Sequence, residues 1–90
     1  MKKVMLVVAG ALALATAAPA HADTQGYIDF LRNHGVPNPE SYVSQGQQEC
    51  EALRSGKSEG WLIGQLEHVM DRATSDNIVV GAHQYLCPGA

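Results

Sequence analysis

The chain has two cysteines, Cys50 and Cys87, and the second opens the closing segment Cys87-Pro88-Gly89-Ala90. What such a pair can do depends on its compartment, and the N-terminal residues bear on that. Met1-Lys2-Lys3 is a short basic start, residues 4–15 are apolar and uncharged, and Ala20-His21-Ala22 is a small-x-small cleavage signal. This is the pattern of a secretory signal peptide cut after Ala22. The apolar run falls short of the roughly 20 residues of a membrane-spanning helix. Polar sequence follows it, and no Arg-Arg pair points to the twin-arginine route. Residues 1–22 are therefore read as signal peptide. Residues 23–90 are read as one small secreted domain, extracellular or in the cell envelope, without a stable membrane span. Export places Cys50 and Cys87 in an oxidising compartment, where two cysteines most simply pair. Closing a loop of this length is worth about 4 kcal/mol in the chain-entropy picture, against the roughly 5–15 kcal/mol that holds a domain folded. A short chain has a thin core and gains most from such a staple.

Cleavage also changes the charge. Lys2 and Lys3 leave with the signal peptide, so Arg32, Arg54, Lys57 and Arg72 face all nine acidic residues. An acidic balance repels phosphate backbones and anionic headgroups, and no Lys/Arg cluster offsets it locally. Nucleic acid and anionic membrane surfaces are poor candidates as partners.

Along the chain, Asp23 or Thr24 caps a first helix with Tyr27, Phe30 and Leu31 on one face. Gly35 ends it in the left-handed conformation, with Val36 folding back on Leu31, and Pro37 bars continuation. Asn38 caps a second helix with Pro39 at its first position. Val43, Gly46, Cys50 and Leu53 form its inward seam, Gln45, Gln47, Gln48, Glu49 and Glu51 cover its outside, and Gly56 stops it. Gly46 costs a helix about 1 kcal/mol relative to Ala, which predicts a close neighbour one turn before Cys50. Ser58 caps a third helix with Glu59 in its first turn. Its stripe is Leu62, Leu66, Val69 and Ala73, widened by Trp61 and Ile63, with Gly64 as another small contact point and His68 and Arg72 near its C-terminal end. Thr74 or Ser75 caps a last helix from Asp76 to Leu86, with Val79, Ala82, His83 and Leu86 on one face. The β-branched run Ile78-Val79-Val80 offers a short strand instead, set aside because no second strand candidate pairs with it. The expected fold is all-α, a compact bundle of four short helices stapled by one disulfide.

Phe30-Leu31 followed by Gly35-Val36, Gly46-x-x-x-Cys50, Leu53 before Gly56-Lys57-Ser58, and the terminal Cys87-Pro88 carry a resemblance that spans the whole mature chain. In this order, behind a signal peptide, the chain resembles the small exported mycobacterial proteins grouped as the domain of unknown function 732 family. That family usually has an aromatic directly before its final Cys-Pro, whereas here Leu86 separates Tyr85 from Cys87. The resemblance implies a compact, all-helical, exported domain with Cys50 paired to Cys87. It implies no activity.

Candidate chemistry is thin. Gly56-Lys57-Ser58-Glu59-Gly60 matches G-x-S-x-G, with Asp71 or Asp76 and then His83 in hydrolase order. That motif needs a strand-to-helix turn above a parallel sheet, for which this chain has neither strand nor length; a C-cap glycine followed by an N-cap serine explains the same residues. Gly56-Lys57-Ser58 also fails as a phosphate loop, because Glu51 stands where the motif requires its first glycine. Metal or haem ligation would draw on His34, His68, His83, Tyr85, Cys50 and Cys87, but there is no Cys-x-x-Cys and no His pair four apart, so no metal or cofactor is expected. A paired Cys50 cannot be a nucleophile, which needs a thiolate. Trp61, the sole tryptophan, is read first as core, since lone aromatics in small domains usually bury. The alternative is an exposed interaction anchor; Tyr27, Phe30 and Tyr42 face the same choice.

The leading expectation is an exported, non-enzymatic interaction domain that meets an envelope or extracellular protein through a helical surface. A small carrier of a lipid-like ligand is second. It would need a pocket of about 300 Å³ or more, near Gly46 and Gly64 and lined by Leu62, Leu66, Val69 and Val79. A hydrolase is third.

Overall fold

A computed structural model describes residues 22–90; the expected signal peptide, all but its last residue, lies outside the described residues. Four helices are present among the described residues: α1 Thr24–Asn33, α2 Val43–Arg54 preceded by a 3₁₀ turn Pro39–Tyr42, α3 Glu59–Leu66, and α4 Arg72–Gly81, which runs on as a π turn Ala82–Leu86. No strand occurs among the described residues, and Ile78-Val79-Val80 is helical. The all-α bundle expected from the sequence is the fold observed.

The helix ends follow local chemistry. The Asp23 carboxylate accepts the Gly26 N–H at 2.8 Å and starts α1. Gly35, at φ 81°, ends it: its N–H donates to Arg32 O at 3.1 Å, and the Val36 N–H donates to Leu31 O at 3.0 Å. This is the paired bonding of a Schellman motif, with Val36 and Leu31 both buried. Gly56, at φ 104°, ends α2 the same way, through Gly56 N–H to Leu53 O at 3.0 Å and Lys57 N–H to Ala52 O at 3.1 Å.

Three boundaries differ from expectation. Asn38 does not cap through its side chain; it sits in the left-handed region at φ 51°, which asparagine tolerates better than most residues. Its carbonyl accepts from the Ser41 N–H at 3.0 Å and the Ser41 hydroxyl at 2.7 Å, so the chain makes a 3₁₀ turn and the α-helix starts only at Val43. Next, α3 stops at Leu66 instead of running on to Ala73. The cause lies downstream: the Asp71 carboxylate accepts the Thr74 N–H at 3.0 Å and its hydroxyl at 2.7 Å. Asp71, not Thr74 or Ser75, therefore caps α4, and the chain must turn before it. Ser75 is buried, its hydroxyl donating to Asp71 O at 2.9 Å. Consequently Val69 is 77% exposed in the α3–α4 turn, Ala73 belongs to α4, and His68 follows α3. Arg72 opens α4 and pairs with Glu67 at 3.1 Å. Finally, the expected outer face of α2 is not all outside: Glu49 is buried, bonded by the Gln45 side-chain amide one turn away.

The core is arranged around Tyr27, which is fully buried. A Cβ on Gly46 of α2 would sit 2.7 Å from its ring and hydroxyl, and a Cβ on Gly81 of α4 would sit 3.1 Å from the ring and 2.7 Å from Phe30. The ring thus occupies a slot that two glycines leave open. Its hydroxyl donates to Ile78 O at 3.0 Å. Burial, with Glu49 nearby, pushes the phenol well above its ordinary range, so it stays a neutral donor. Leu31, Cys50, Ile78, Val79, Ala82 and Leu86 pack around it, and Leu53, Leu62, Ile63 and Leu66 extend the core toward α3.

Two ties close the bundle. The Asp23 N–H donates to Tyr85 O at 2.7 Å, and Cys50 is bridged to Cys87 with Cα atoms 5.9 Å apart. The π turn delivers Cys87 there: its N–H donates to Ala82 O at 3.0 Å, five residues back. Both sulfurs also lie 3.5 Å from that carbonyl, but bridged sulfurs carry no hydrogen, so these are contacts only.

The slot sets two effects against each other. Gly46→Ala gains about 1 kcal/mol of helix propensity and loses about 1–3 kcal/mol to overpacking against an enclosed ring. The expected result is net destabilisation, seen as a lower urea midpoint; a midpoint at or above that of the wild type contradicts it.

Candidate functional site

The α2–α3 connection positions the most exposed aromatic of the domain. Ser58 accepts the Trp61 N–H at 3.1 Å, starting α3 as expected. At 3.6 residues per turn, Leu62, Ile63 and Leu66 occupy one arc of this helix, and all three are buried. Trp61 and Gly64 fall almost opposite that arc. Trp61 is accordingly 50% exposed, which overturns the expectation of a core tryptophan. The Lys57 ammonium stands 4.7 Å from the ring centroid, a contact worth about 0.5–1 kcal/mol at an exposed position. Gly60 and Gly64 flank the indole in sequence and one turn on, and a Cβ at either would meet no atom within 4 Å. Gly64 is therefore not a contact point inside the bundle. Two exposed glycines in an eight-residue helix lower its propensity with no packing in return.

Beside the start of α3 lies a pairing that the sequence did not signal. His83 Nδ1 is 2.7 Å from Glu59 Oε2, and its Nε2 is 2.7 Å from Ala90 O. His83 is half-buried, whereas Val79, Ala82 and Leu86 form the buried face of the last helix. A separation of 24 residues between Glu59 and His83 leaves no local pattern to find it by.

The residues of the expected hydrolase order do not join one another. Ser58 is bonded to Trp61 N–H, Asp71 to Thr74, and His83 to Glu59 and Ala90. The hydrogen bonds from Thr74 hold the Asp71 carboxyl below its usual range, which is the work of a cap. No cluster of three metal-ligating side chains occurs among the described residues. His34 Nδ1 lies 2.7 Å from Phe30 O, at the end of α1. Tyr85 packs its ring 5.5 Å from that of Phe30.

For a lipid carrier the arrangement is unfavourable. The space beside Gly46 is filled by Tyr27, Gly64 faces solvent, and Val69 is outside the core. A cleft of about 440 Å³ lies elsewhere, over Cys50 and Leu86, and its lining is mixed, with Ser44, Gln47, Gln48, Glu51 and Arg54 beside the apolar groups.

Because nothing crowds Gly64, Gly64→Ala is expected to stabilise the domain by up to about 1 kcal/mol through helix propensity alone. Denaturant unfolding that shows a loss would mean that α3 packs on this face.

Among the described residues no helix is long and apolar enough to cross a membrane. No curated protein and no solved structure is significantly similar to the chain. Residues 22–89 match the family model described as protein of unknown function, DUF732. That match takes in all four helices and both bridged cysteines, and on it the chain belongs to the DUF732 family.

Proposed function

We propose that this domain is an exported, non-enzymatic interaction module of the cell envelope or extracellular space, and that it engages a protein partner through the outer face of α3 with Trp61 as anchor. The observation that carries the proposal is the exposed indole between two glycines at which a side chain would meet open space. Tryptophan is the residue type most enriched at interface hot spots. Glycines beside it let a partner approach the helix backbone closely, and they explain why helix propensity is sacrificed there. The basic start and small-x-small site before Asp23 support export.

The test uses the full chain in its own host. The protein should be recovered outside the cell with the mass of residues 23–90; its absence there contradicts export, and an intact Met1 contradicts cleavage after Ala22. A photo-crosslinking residue in place of Gln65, exposed one turn from Trp61, should give a discrete protein adduct. Trp61→Ala should abolish that adduct while shifting stability by no more than about 1 kcal/mol, the scale of the Lys57 contact. An adduct indifferent to Trp61→Ala, or none at all, would remove Trp61 as the anchor.

A further inference from the structure

We infer that His83 is a proton-operated clasp, which fastens the closing segment, residues 88–90, against the start of α3 when charged and releases it when neutral. The geometry requires the charge. Each ring nitrogen lies 2.7 Å from an oxygen, Nδ1 from the Glu59 carboxylate and Nε2 from the Ala90 carbonyl. A carboxylate and a carbonyl only accept, so both nitrogens must donate, and only the imidazolium does so. In the neutral ring one of the two contacts would set lone pair against lone pair.

What lets go follows from what holds each side. Cys87 is anchored by its bridge and by its N–H on Ala82 O. Pro88, Gly89 and Ala90 are exposed. Beyond Cys87 the segment has a local turn, Ala90 N–H to Cys87 O at 3.0 Å, and the bond to His83. When the imidazolium gives its proton to solvent, one N–H remains for two acceptors, so the ring can no longer hold Glu59 and Ala90 together. The link between the closing segment and the start of α3 is then broken. Pro88 forms one wall of a groove of about 380 Å³ shared with Glu59, Val80, His83 and Gln84, so release uncovers Val80 and the free edge of the imidazole.

The charged group facing His83 from α3 is Glu59, the polar group from the closing segment is the Ala90 carbonyl, and the groove wall on its own helix, Val80 and Gln84, is uncharged. The Ala90 bond first and the Glu59 bond second raise the pKa of His83 above the ordinary value of 6.5. A group raised on folding adds stability in full below the unfolded value and loses it as pH rises through the folded one. The clasp is therefore shut at low pH and opens as pH rises through that raised value.

Labelled, disulfide-intact protein titrated by NMR from about pH 5 to about pH 9 tests this. The His83 ring resonance and the Gly89 and Ala90 amides should share one midpoint, above 6.5, and the heteronuclear NOE of those two amides should fall on the alkaline side while that of Cys87 holds. Glu59→Gln should lower the midpoint of ring and amides together. His83→Gln should remove the transition at Gly89 and Ala90. Amides that ignore the His83 midpoint, or stay equally ordered on both sides of it, overturn the clasp. The wild-type titration decides the question even if a variant fails to fold.

Discussion

A tyrosine ring buried to its hydroxyl needs a space of its own shape and an acceptor within reach, and Tyr27 of α1 obtains both from α2 and α4. Gly46 and Gly81 leave the ring its space, and the Ile78 carbonyl accepts the hydrogen bond from its hydroxyl. Each glycine weakens its helix by about 1 kcal/mol. Burying the aromatic surface returns about 1.5–3 kcal/mol, and an unpaired hydroxyl would take back about 1–3 kcal/mol. The slot closes only if α2 and α4 hold their separation. The bridge does that, with Cys50 one turn beyond Gly46 and Cys87 just past the π turn that follows Gly81. In a domain with this thin a core, the covalent tie and the buried ring act on the same pair of helices, so each makes the other effective.

What could be read from the sequence was what neighbours in the chain decide. Asp23, Ser58, Gly35 and Gly56 each act within a few residues, and each ends or starts a helix as expected. The second and third boundaries were less legible because local signals competed. Asp71, Thr74 and Ser75 are all good caps, and the apolar spacing of Leu62, Leu66, Val69 and Ala73 runs straight through the turn. Burial of Ser75 settled the choice, and burial depends on the whole fold. Trp61 is a different case: its angle from Leu62, Ile63 and Leu66 already placed it outside, and judging by residue type alone obscured that. Glu49 and the Glu59–His83 pair depend on long-range packing and had no local trace.

The framework and the proposed working surface are largely separate residues. Tyr27, the slot glycines and the bridge hold α1, α2 and α4, while the outward arc of α3 carries Trp61, Gly60 and Gly64 and contributes nothing to the core. The His83 clasp sits where the two regions meet, since Glu59 lies in the first turn of α3 and the closing segment is anchored at the bridge. With the proposed clasp, low pH would leave the start of α3 braced, and pH above the raised His83 value would free the groove beside it.

That separation is the central claim, and native-state hydrogen exchange measures it most directly. Amides of α1, α2 and α4 around Tyr27 should exchange only through global unfolding, at one common free energy. Those of α3, short and carrying two exposed glycines, should open locally at a lower one. Protection of α3 equal to or above that of Leu31, Cys50 and Ala82 would contradict the account, because α3 would then belong to the framework that it is supposed to lean on.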